Sequence, residues 1–281
     1  MSVRQNPVRR AFDRAAQSYD QAADLQREVA RRLALRLDAL LPSLHRALGQ
    51  NSGRVLDAGS GTGYGASLLH SRLPGFSLVE LDIAPAMLSQ ARQQRAELGE
   101  GEHCTGLCAD LEALPLREGC VDLIWSSLAL QWAVRLGPAL TGLNRCLNPG
   151  GILHFATLGP GTLSELAASF ATVDRYRHVN RFTSAEEVER LLFEAGFSSV
   201  HRERESLVME YPDVASVLRG LKAIGARRVV EAGVPGLMGK ARWQQALANY
   251  ETLRRNGQLP ATYELIYVTA RKHAPSKHAP E

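Results

Sequence analysis

The stretch VLDAGSGTGYG, residues 55–65, decides the fold of this 281-residue chain. Its apolar start favours a short β-strand, and Asp57 stands where a parallel strand would end. Every second residue from 59 to 65 is glycine, which permits turns with positive φ and lets a ligand approach the bare main chain. Helix-forming residues continue over 66–73, so the loop leads into a helix N-terminus whose N–H groups attract anionic groups. This order of strand, glycine loop and helix indicates the nucleotide-binding corner of a doubly wound α/β sheet.

The sequence of the glycine loop fits two ligand-binding interpretations. The run GTGYGA at 61–66 matches the dinucleotide fingerprint, with Glu80 or Asp82 as the acid that binds the ribose. The run DAGSGTG at 57–63 resembles instead the first motif of class I S-adenosylmethionine methyltransferases, in which the loop surrounds the amino-acid end of the cofactor. A glycine turn without a ligand is a third reading. The loop alone does not choose among them, so the motifs that follow it must decide.

Composition limits the kind of protein. A chain of 281 residues that is 45% hydrophobic can bury a full core as one large domain, with or without a cap. The net charge is +4, and the sequence contains no block of like charge that would indicate nucleic-acid binding. Four cysteines do not make a disulfide framework, and eight scattered histidines predict no metal site. No apolar run approaches the roughly 18 residues of a membrane span, so we expect a cytoplasmic protein.

Residues 8–48 carry a helical pattern ahead of the first strand. Phe12 and Tyr19 belong to one apolar stripe, and a second stripe is rich in leucine between 25 and 41. Residues 20–23 are predicted to break the pattern into two helices. An N-terminal helical arm of this kind packs on the sheet or, through Tyr19, forms a lid over the cofactor.

Two predicted strand ends after the loop carry acids. The apolar run FSLVEL at 76–81 ends in Asp82, about 20 residues beyond the glycines, which suits a grip on ribose hydroxyls. Ile83 would then lie against the adenine ring. The third predicted strand leads to Asp110 and Leu111, which are placed to accept a hydrogen bond from the adenine amino group and to pack on the ring.

The fourth and fifth predicted strands bracket a helix. The run VDLIWS at 121–126 is nearly all apolar, as expected of a strand buried on both faces. Its exit, SSLALQW at 126–132, opens on the carboxyl edge, where open α/β sheets bind ligands. The run LNPGG at 147–151 is predicted to end the helix and to begin the fifth strand at Ile152.

Taken in order, these motifs resemble the class I methyltransferase series over roughly residues 50–160. The resemblance implies an α/β, Rossmann-like fold with a seven-stranded, mostly parallel sheet. It implies S-adenosyl-L-methionine as the methyl donor and no metal. The cofactor-binding residues that it implies are Asp57, Gly59, Gly61, Gly63, Asp82, Ile83, Asp110, Leu111 and Ser126.

The C-terminal half has strand character over 199–210 and 262–270, with two helical stretches between them. A helical insertion before the last strand would form a cap beside the active site. Ser184 and Glu187 form a capping box that opens a further helix. The predicted segments are a helical arm or lid (1–48), a cofactor-binding core (49–160), the rest of the sheet with its substrate cap (161–271, the cap at about 212–256) and a disordered tail (272–281).

Four stretches resemble one family, the malonyl-acyl-carrier-protein O-methyltransferases of biotin synthesis. They are AFDRAAQSYDQAADLQ at 11–26, WSSLALQW at 125–132, HVNRF at 178–182 and LRGLKAIGA at 218–226. The resemblance runs nearly end to end. It implies methyl transfer to the free carboxylate of a malonyl thioester on acyl carrier protein. The ester hides the charge, so that fatty-acid synthesis enzymes can elongate the chain towards a pimeloyl thioester.

The predicted cap is basic. Residues 212–256 contain eight Lys and Arg against three Asp and Glu. On composition alone this is a solvated helix face. Acyl carrier proteins are strongly acidic, so the resemblance favours a docking patch by charge complementarity. The candidate docking residues are Arg219, Lys222, Arg227 and Arg228.

The implied reaction needs orientation more than proton transfer. A carboxylate with a pKa near ~4 is already ionised at neutral pH, so we expect no general base. Arg181, in the HVNRF stretch, is the candidate residue for a two-point contact with the substrate carboxylate. The alternative role for Arg181 is an ion pair with an acidic side chain of the fold itself. Tyr19, Gln131 and Trp132 are the predicted wall and lid. The alternatives are a methyltransferase acting on a small-molecule acid or quinone precursor, and a non-catalytic adaptor that binds S-adenosylmethionine.

Overall fold

A seven-stranded sheet runs through the part of the chain that a computed structural model describes, residues 6–48, 53–99, 104–173, 178–223 and 239–274. The strands are Arg54–Ala58 (β1), Ser77–Asp82 (β2), Cys104–Cys108 (β3), Val121–Ser127 (β4), Leu147–Leu158 (β5), Phe197–Tyr211 (β6) and Leu259–Lys272 (β7). Their spatial order is β3-β2-β1-β4-β5-β7-β6. The first five are parallel, and β7 runs antiparallel to both β5 and β6. The strand order reverses between β1 and β4, which is where such sheets bind ligands.

Helices cover the sheet and precede it. The described helices are Pro7–Ala15 (α1), Asp24–Asp38 (α2), Leu41–Leu48 (α3), Tyr64–Arg72 (α4), Pro85–Leu98 (α5), Leu136–Cys146 (α6), Ser164–Ala171 (α7), Ala185–Glu194 (α8), Val214–Ala223 (α9) and Lys240–Glu251 (α10). A 3-10 helix over Ala16–Ala22, which we name the lid segment, joins α1 to α2, and another covers Leu130–Trp132. The helical arm before β1, and α9 and α10 between β6 and β7, confirm the predicted fold class. None of the described helices is long and apolar enough to span a membrane.

Apolar clusters hold the two helical layers on the sheet. On one face, Val29, Leu33 and Leu37 of α2 have no exposed surface and share a cluster with Trp125 of β4. On the other face, Leu140 of α6 belongs to a second cluster with residues of α8 and β5. Burying one such side chain stabilises a fold by about 1.5–3 kcal/mol. The four-residue spacing on α2 therefore fixes the arm against the sheet.

A buried histidine also joins the arm to the sheet. The His154 Nε2 atom of β5 lies 3.1 Å from the Leu33 carbonyl oxygen, and Nδ1 lies 2.9 Å from the Thr269 hydroxyl. Because a carbonyl oxygen only accepts hydrogen bonds, Nε2 carries the proton and Nδ1 accepts from threonine. Burial lowers the pKa of His154 to about 4, so the ring is neutral at physiological pH.

Several predicted boundaries differ from the structure. The fifth strand begins at Leu147, not at Ile152, because Leu147 already pairs with Val121 of β4. The NPGG run forms an irregularity between this pair and the pair of Ile152 with Leu123, and Gly150 takes a φ of 78°. The serine half of the capping box is confirmed, since the Ser184 side chain accepts a hydrogen bond from the Glu187 amide at 3.3 Å, while the Glu187 carboxylate pairs with Arg190. The last strand continues to Lys272, one residue into the predicted tail, and residues 275–281 lie outside the described residues.

Candidate active site

The glycine loop turns sharply between β1 and α4. Gly59, Gly61 and Gly63 have φ values of 84°, 56° and 92°, in the left-handed region that favours glycine. The Gly59 amide donates to the Leu81 carbonyl at 2.7 Å. A Cβ atom added at Gly59 would lie 2.2 Å from the Ala129 Cβ atom. The first glycine is therefore required both by its conformation and by its neighbour.

Asp82 ties the end of β2 to this loop. Its Oδ2 atom accepts a hydrogen bond from the Gly61 amide at 3.0 Å, and its Oδ1 atom accepts one from the Ala84 amide at 2.8 Å. Burial raises the pKa of Asp82 to about 6, and the two amide bonds act against that shift. Each carboxylate oxygen has a second lone pair, so the group can still accept bonds from ligand hydroxyls.

A first cavity, which we name the Asp82 cavity, opens at the carboxyl ends of β2 and β3. The predicted residues that line it are Tyr19, Gly59, Gly61, Asp82, Ile83, Asp110, Leu111 and Trp132. The Asp110 carboxylate is oriented by the Glu112 amide at 3.0 Å and by the Asn6 amide nitrogen at 3.5 Å. With Glu112, which also lines it, the cavity therefore combines three carboxyl groups with an apolar lining.

A second cavity, which we name the Asp57 cavity, lies beneath the lid segment and the first half of α2. Five polar atoms of its lining residues are buried without a hydrogen-bond partner among the described residues: Asp57 Oδ2, Ser60 Oγ, Trp125 Nε1, Ser127 Oγ and Gln26 Oε1. An unsatisfied buried polar group costs about 1–3 kcal/mol, so such a cluster indicates a polar ligand. Burial and the nearby charge of Asp82 raise the pKa of Asp57 to about 8.

The lid segment covers both cavities and is fastened by one carboxylate. Asp20 accepts hydrogen bonds from the Thr62 hydroxyl at 2.7 Å and from the Gln94 side-chain amide at 2.6 Å. Tyr19 lines both cavities. Burial, Asp82 and Asp20 raise the pKa of Tyr19 above its ordinary value, so its hydroxyl remains a hydrogen-bond donor.

The two cavities share part of their lining. Tyr19, Gly59, Gly61 and Ser127 line both of them. A ligand that occupied both cavities would pass this junction at its middle. The arrangement fits a molecule with a nucleoside at one end, a charged polar group at the other and its reactive atom between them.

Comparison with known proteins identifies the family. Residues 56–155 match the protein-family model described as a methyltransferase domain. A malonyl-[acyl-carrier protein] O-methyltransferase from Laribacter hongkongensis is 46% identical, over 92% of this chain and 86% of that protein. Another, from Gallionella capsiferriformans, is 44% identical over 95% of this chain and 91% of that protein. The chain belongs to the malonyl-[acyl-carrier protein] O-methyltransferase family.

A solved structure supports the fold of this methyltransferase. The YcgJ protein from Bacillus subtilis superposes with a TM-score of 0.59 and 17% identity, over 83% of this chain and 97% of that one. The residues present also fit S-adenosyl-L-methionine, the methyl donor of the class. The unpartnered Asp57 carboxylate suits an ammonium group, and the Asp82 cavity suits a nucleoside. Within the described residues, no group of three or more His, Cys, Asp or Glu could hold a metal ion.

Two predicted cofactor residues of the methyltransferase, Gly63 and Ser126, lie outside the lining of both cavities. Gly63 lies against Ala91 and Glu80 instead. Ser126 has no exposed surface, and its hydroxyl donates to the Ala58 carbonyl at 2.7 Å. Its neighbour Ser127 lines both cavities instead. Successive strand residues point to opposite faces, so the two serines lie in different surroundings.

Two predicted substrate residues lie outside the lining of both cavities. The Gln131 Oε1 atom accepts a hydrogen bond from the Thr157 hydroxyl at 3.3 Å. Arg181 is exposed, while Val179 in the same stretch is buried and His178 stacks on Phe170 at 4.0 Å. The role of Arg181 as a carboxylate clamp stays a prediction.

Trp132 lies where a wall residue is predicted, and Arg219 is the member of the predicted docking patch whose side chain the structure describes. Trp132 lines the Asp82 cavity and packs edge-on against Phe12, with 5.0 Å between ring centroids. Arg219 of α9 is exposed and donates to the Ser216 hydroxyl at 2.7 Å. The side chain of Lys222 and both Arg227 and Arg228 lie outside the described residues.

Sequence reasoning missed three polar residues of the site. Asp20 was predicted only to break a helix, and Thr62 only to lie in the loop. Arg27 lines the Asp57 cavity and follows directly on the stretch at 11–26 that carried the family resemblance. The signal available for Asp20 was its position directly after the predicted lid tyrosine.

Proposed function

We propose that this protein transfers the methyl group of S-adenosyl-L-methionine to the free carboxylate of malonyl-acyl carrier protein. The product would be the methyl ester that primes pimeloyl and biotin synthesis. The observation that supports methyl transfer best is the junction of two cavities beneath the lid segment. The identity of the substrate rests on relatives that are 44–46% identical over nearly the whole chain.

The cofactor is proposed to lie across both cavities. In the Asp82 cavity, Asp82 accepts the ribose hydroxyls, and Ile83 and Leu111 pack against the adenine. Asp110 accepts from the adenine amino group. In the Asp57 cavity, the unpartnered oxygen of Asp57 accepts from the ammonium group. This placement brings the sulfonium to the shared lining beside Tyr19 and Ser127, since those residues line both cavities.

The chain's part in the reaction is to orient the reactants and to exclude water. The cofactor supplies an electrophilic methyl group on a sulfonium centre. Because the malonyl carboxylate is already ionised at neutral pH, no residue needs to remove a proton. The Tyr19 and Ser127 hydroxyls, whose residues line both cavities, are the proposed donors to the carboxylate oxygen that does not react. Good orientation can lower a barrier by about 7–11 kcal/mol at best.

The wider surface is proposed to receive the carrier protein. Arg219 is exposed on α9, and the cap is basic in sequence, which suits an acidic partner. Arg181 stays the proposed charge partner of the malonyl carboxylate, and the support for it is the HVNRF stretch alone. Gln131, which follows β4, stays a proposed wall residue.

One assay tests the function directly. Transfer of a labelled methyl group is measured to malonyl-acyl carrier protein, to succinyl-acyl carrier protein and to free malonate. We expect rapid transfer to the malonyl carrier, slower transfer to the succinyl carrier and none to malonate. Equal transfer to free malonate or another small acid would overturn the proposal. Cofactor binding without turnover on any thioester would indicate an adaptor.

A further inference from the structure

The Asp57 cavity contains a single cation among the described residues that line it. Arg27, in the first turn of α2, is that residue, and none of the residues that line the Asp82 cavity is Lys, Arg or His. Its Nη1 group donates to the Asp20 carbonyl at 2.7 Å, and its Nη2 group donates to the Asp24 carboxylate at 2.9 Å. These bonds engage two of the five N–H groups of a guanidinium and hold its plane.

The same cavity contains an unpartnered carboxyl group. Asp57 is 2% exposed, and its Oδ2 atom has no hydrogen-bond partner among the described residues. A cavity that holds one buried carboxylate and one guanidinium matches a zwitterion, whose ammonium and carboxylate groups need one partner of each sign. An α-amino acid group has this chemistry, and a nucleoside has not.

We propose that Arg27 binds the α-carboxylate of the methionine end of the cofactor. Together with Asp57, Arg27 distinguishes ligands that carry the amino-acid group from ligands that lack it. This inference rests on the proposed function, since it assigns one more residue to the same cofactor. A guanidinium suits this role because it can donate two parallel bonds to a carboxylate.

Arg27 also connects this carboxylate to the lid segment. Its Nη1 bond holds the Asp20 carbonyl, while the Asp20 side chain is held by Thr62 of the glycine loop and Gln94 of α5. A ligand carboxylate that fixes the Arg27 side chain therefore fixes the backbone next to Tyr19. The amino-acid end thereby stabilises the closed position of the lid.

Arg36, further along α2, provides a matched control. Its guanidinium pairs with Glu203 at 3.0 Å and with Glu205 at 3.1 Å. Neither Arg36 nor these two acids line either cavity. Substitution at this position changes the charge of the same helix by the same amount without touching the proposed subsite.

The experiment compares two ligands on the full chain by titration calorimetry. S-adenosylhomocysteine carries the amino-acid group, and methylthioadenosine lacks it. We expect Arg27→Met to weaken binding of S-adenosylhomocysteine by about 10–100-fold, as for loss of charged hydrogen bonds, and to leave methylthioadenosine within about twofold. Arg27→Lys should restore part of the loss. Arg36→Met should bind both ligands as the wild type does.

The outcomes separate this inference from the proposed function. Equal weakening of both ligands by Arg27→Met would show a structural role and overturn the inference. Unchanged affinity for S-adenosylhomocysteine would overturn it as well, and Arg27→Lys keeps the test valid if the methionine variant unfolds. Failure of the wild-type protein to bind either ligand would instead overturn the cofactor site itself.

Discussion

The Asp82 carboxylate accepts a hydrogen bond from the Gly61 amide at 3.0 Å, so the ends of β1 and β2 are joined by an acid that also faces the cavity. One side chain therefore shapes the loop and lines the proposed ribose site. We expect Asp82→Asn to weaken S-adenosylhomocysteine binding by about 10–100-fold, because an amide cannot accept as strongly from hydroxyls and amides. Titration calorimetry measures this change.

A surface acid provides the control for Asp82. Asp38 forms an exposed ion pair with Arg72 at 2.8 Å, far from both cavity linings. Exposed pairs of this kind contribute little, so Asp38→Asn should leave the affinity unchanged. Wild-type affinity in Asp82→Asn would refute the ribose assignment.

We expect Asp57 to lower the stability of the folded chain at pH 8 while it strengthens cofactor binding. Its pKa in the folded chain is about 8, compared with an ordinary 3.8, so the folded state holds a proton that the unfolded state loses between these values. The contribution of this group is therefore fully present below pH 3.8 and is lost as the pH rises towards 8. We expect Asp57→Asn to raise the unfolding temperature at pH 8 by roughly 2–8 °C and to weaken cofactor binding.

The check on Asp57 is thermal unfolding with and without S-adenosylhomocysteine. Bound ligand should stabilise the wild type more than Asp57→Asn, since only the wild type keeps the partner of the ammonium group. Equal ligand-induced stabilisation of both proteins would contradict the assignment. Thr105, an exposed residue of β3, offers a neutral control position with Thr105→Ser.

His154 should make the fold sensitive to acid. Its folded pKa of about 4 lies below the ordinary 6.5, so the unfolded state takes up a proton first as the pH falls. Stability from this group is therefore complete above pH 6.5 and declines as the pH falls towards 4. Urea unfolding between these pH values should show a weaker pH dependence in His154→Gln than in the wild type. An unchanged slope would show that other groups control the acid transition.

The sequence was sufficient for the fold and for most of the predicted residues that line the Asp82 cavity, because both depend on short local patterns. The run at 55–65 specifies a strand, turns and a helix within eleven residues, and Asp82 follows at a fixed distance in such folds. The sequence did not decide between Ser126 and Ser127, because a shift of one residue in strand register moves a side chain to the opposite face of the sheet.

The rest of the site depends on tertiary contacts. Asp20 contacts residues 42 and 74 positions away in the chain, and Arg27 lines the same cavity as Asp57 only through the packing of α2 on the sheet. No local pattern encodes such distances. The predicted start of β5 was wrong because proline and glycine were given their usual turn role, although here they continue a strand through a positive φ at Gly150.

Arg181 tests the proposed contact with the substrate carboxylate. We expect Arg181→Ala to lower kcat/KM for malonyl-acyl carrier protein by about 10–100-fold, since a charged two-point contact is lost, while cofactor affinity is unchanged. Arg190 on α8 is the matched control, because it is exposed and pairs with Glu187 at 2.6 Å on its own helix. Equal losses of turnover and cofactor binding in Arg181→Ala would contradict the clamp.

Arg219 tests the docking of the carrier protein on α9. Charge reversal in Arg219→Glu should lower the association rate and raise KM for malonyl-acyl carrier protein by about tenfold at low salt, because an acidic partner is repelled. The effect should shrink as the salt concentration rises, and the small substrate malonyl-coenzyme A should be much less affected. Arg46→Glu, at an exposed position on α3, controls for net charge. If both variants raise KM equally, the general charge of the protein guides the carrier and α9 is not its docking site.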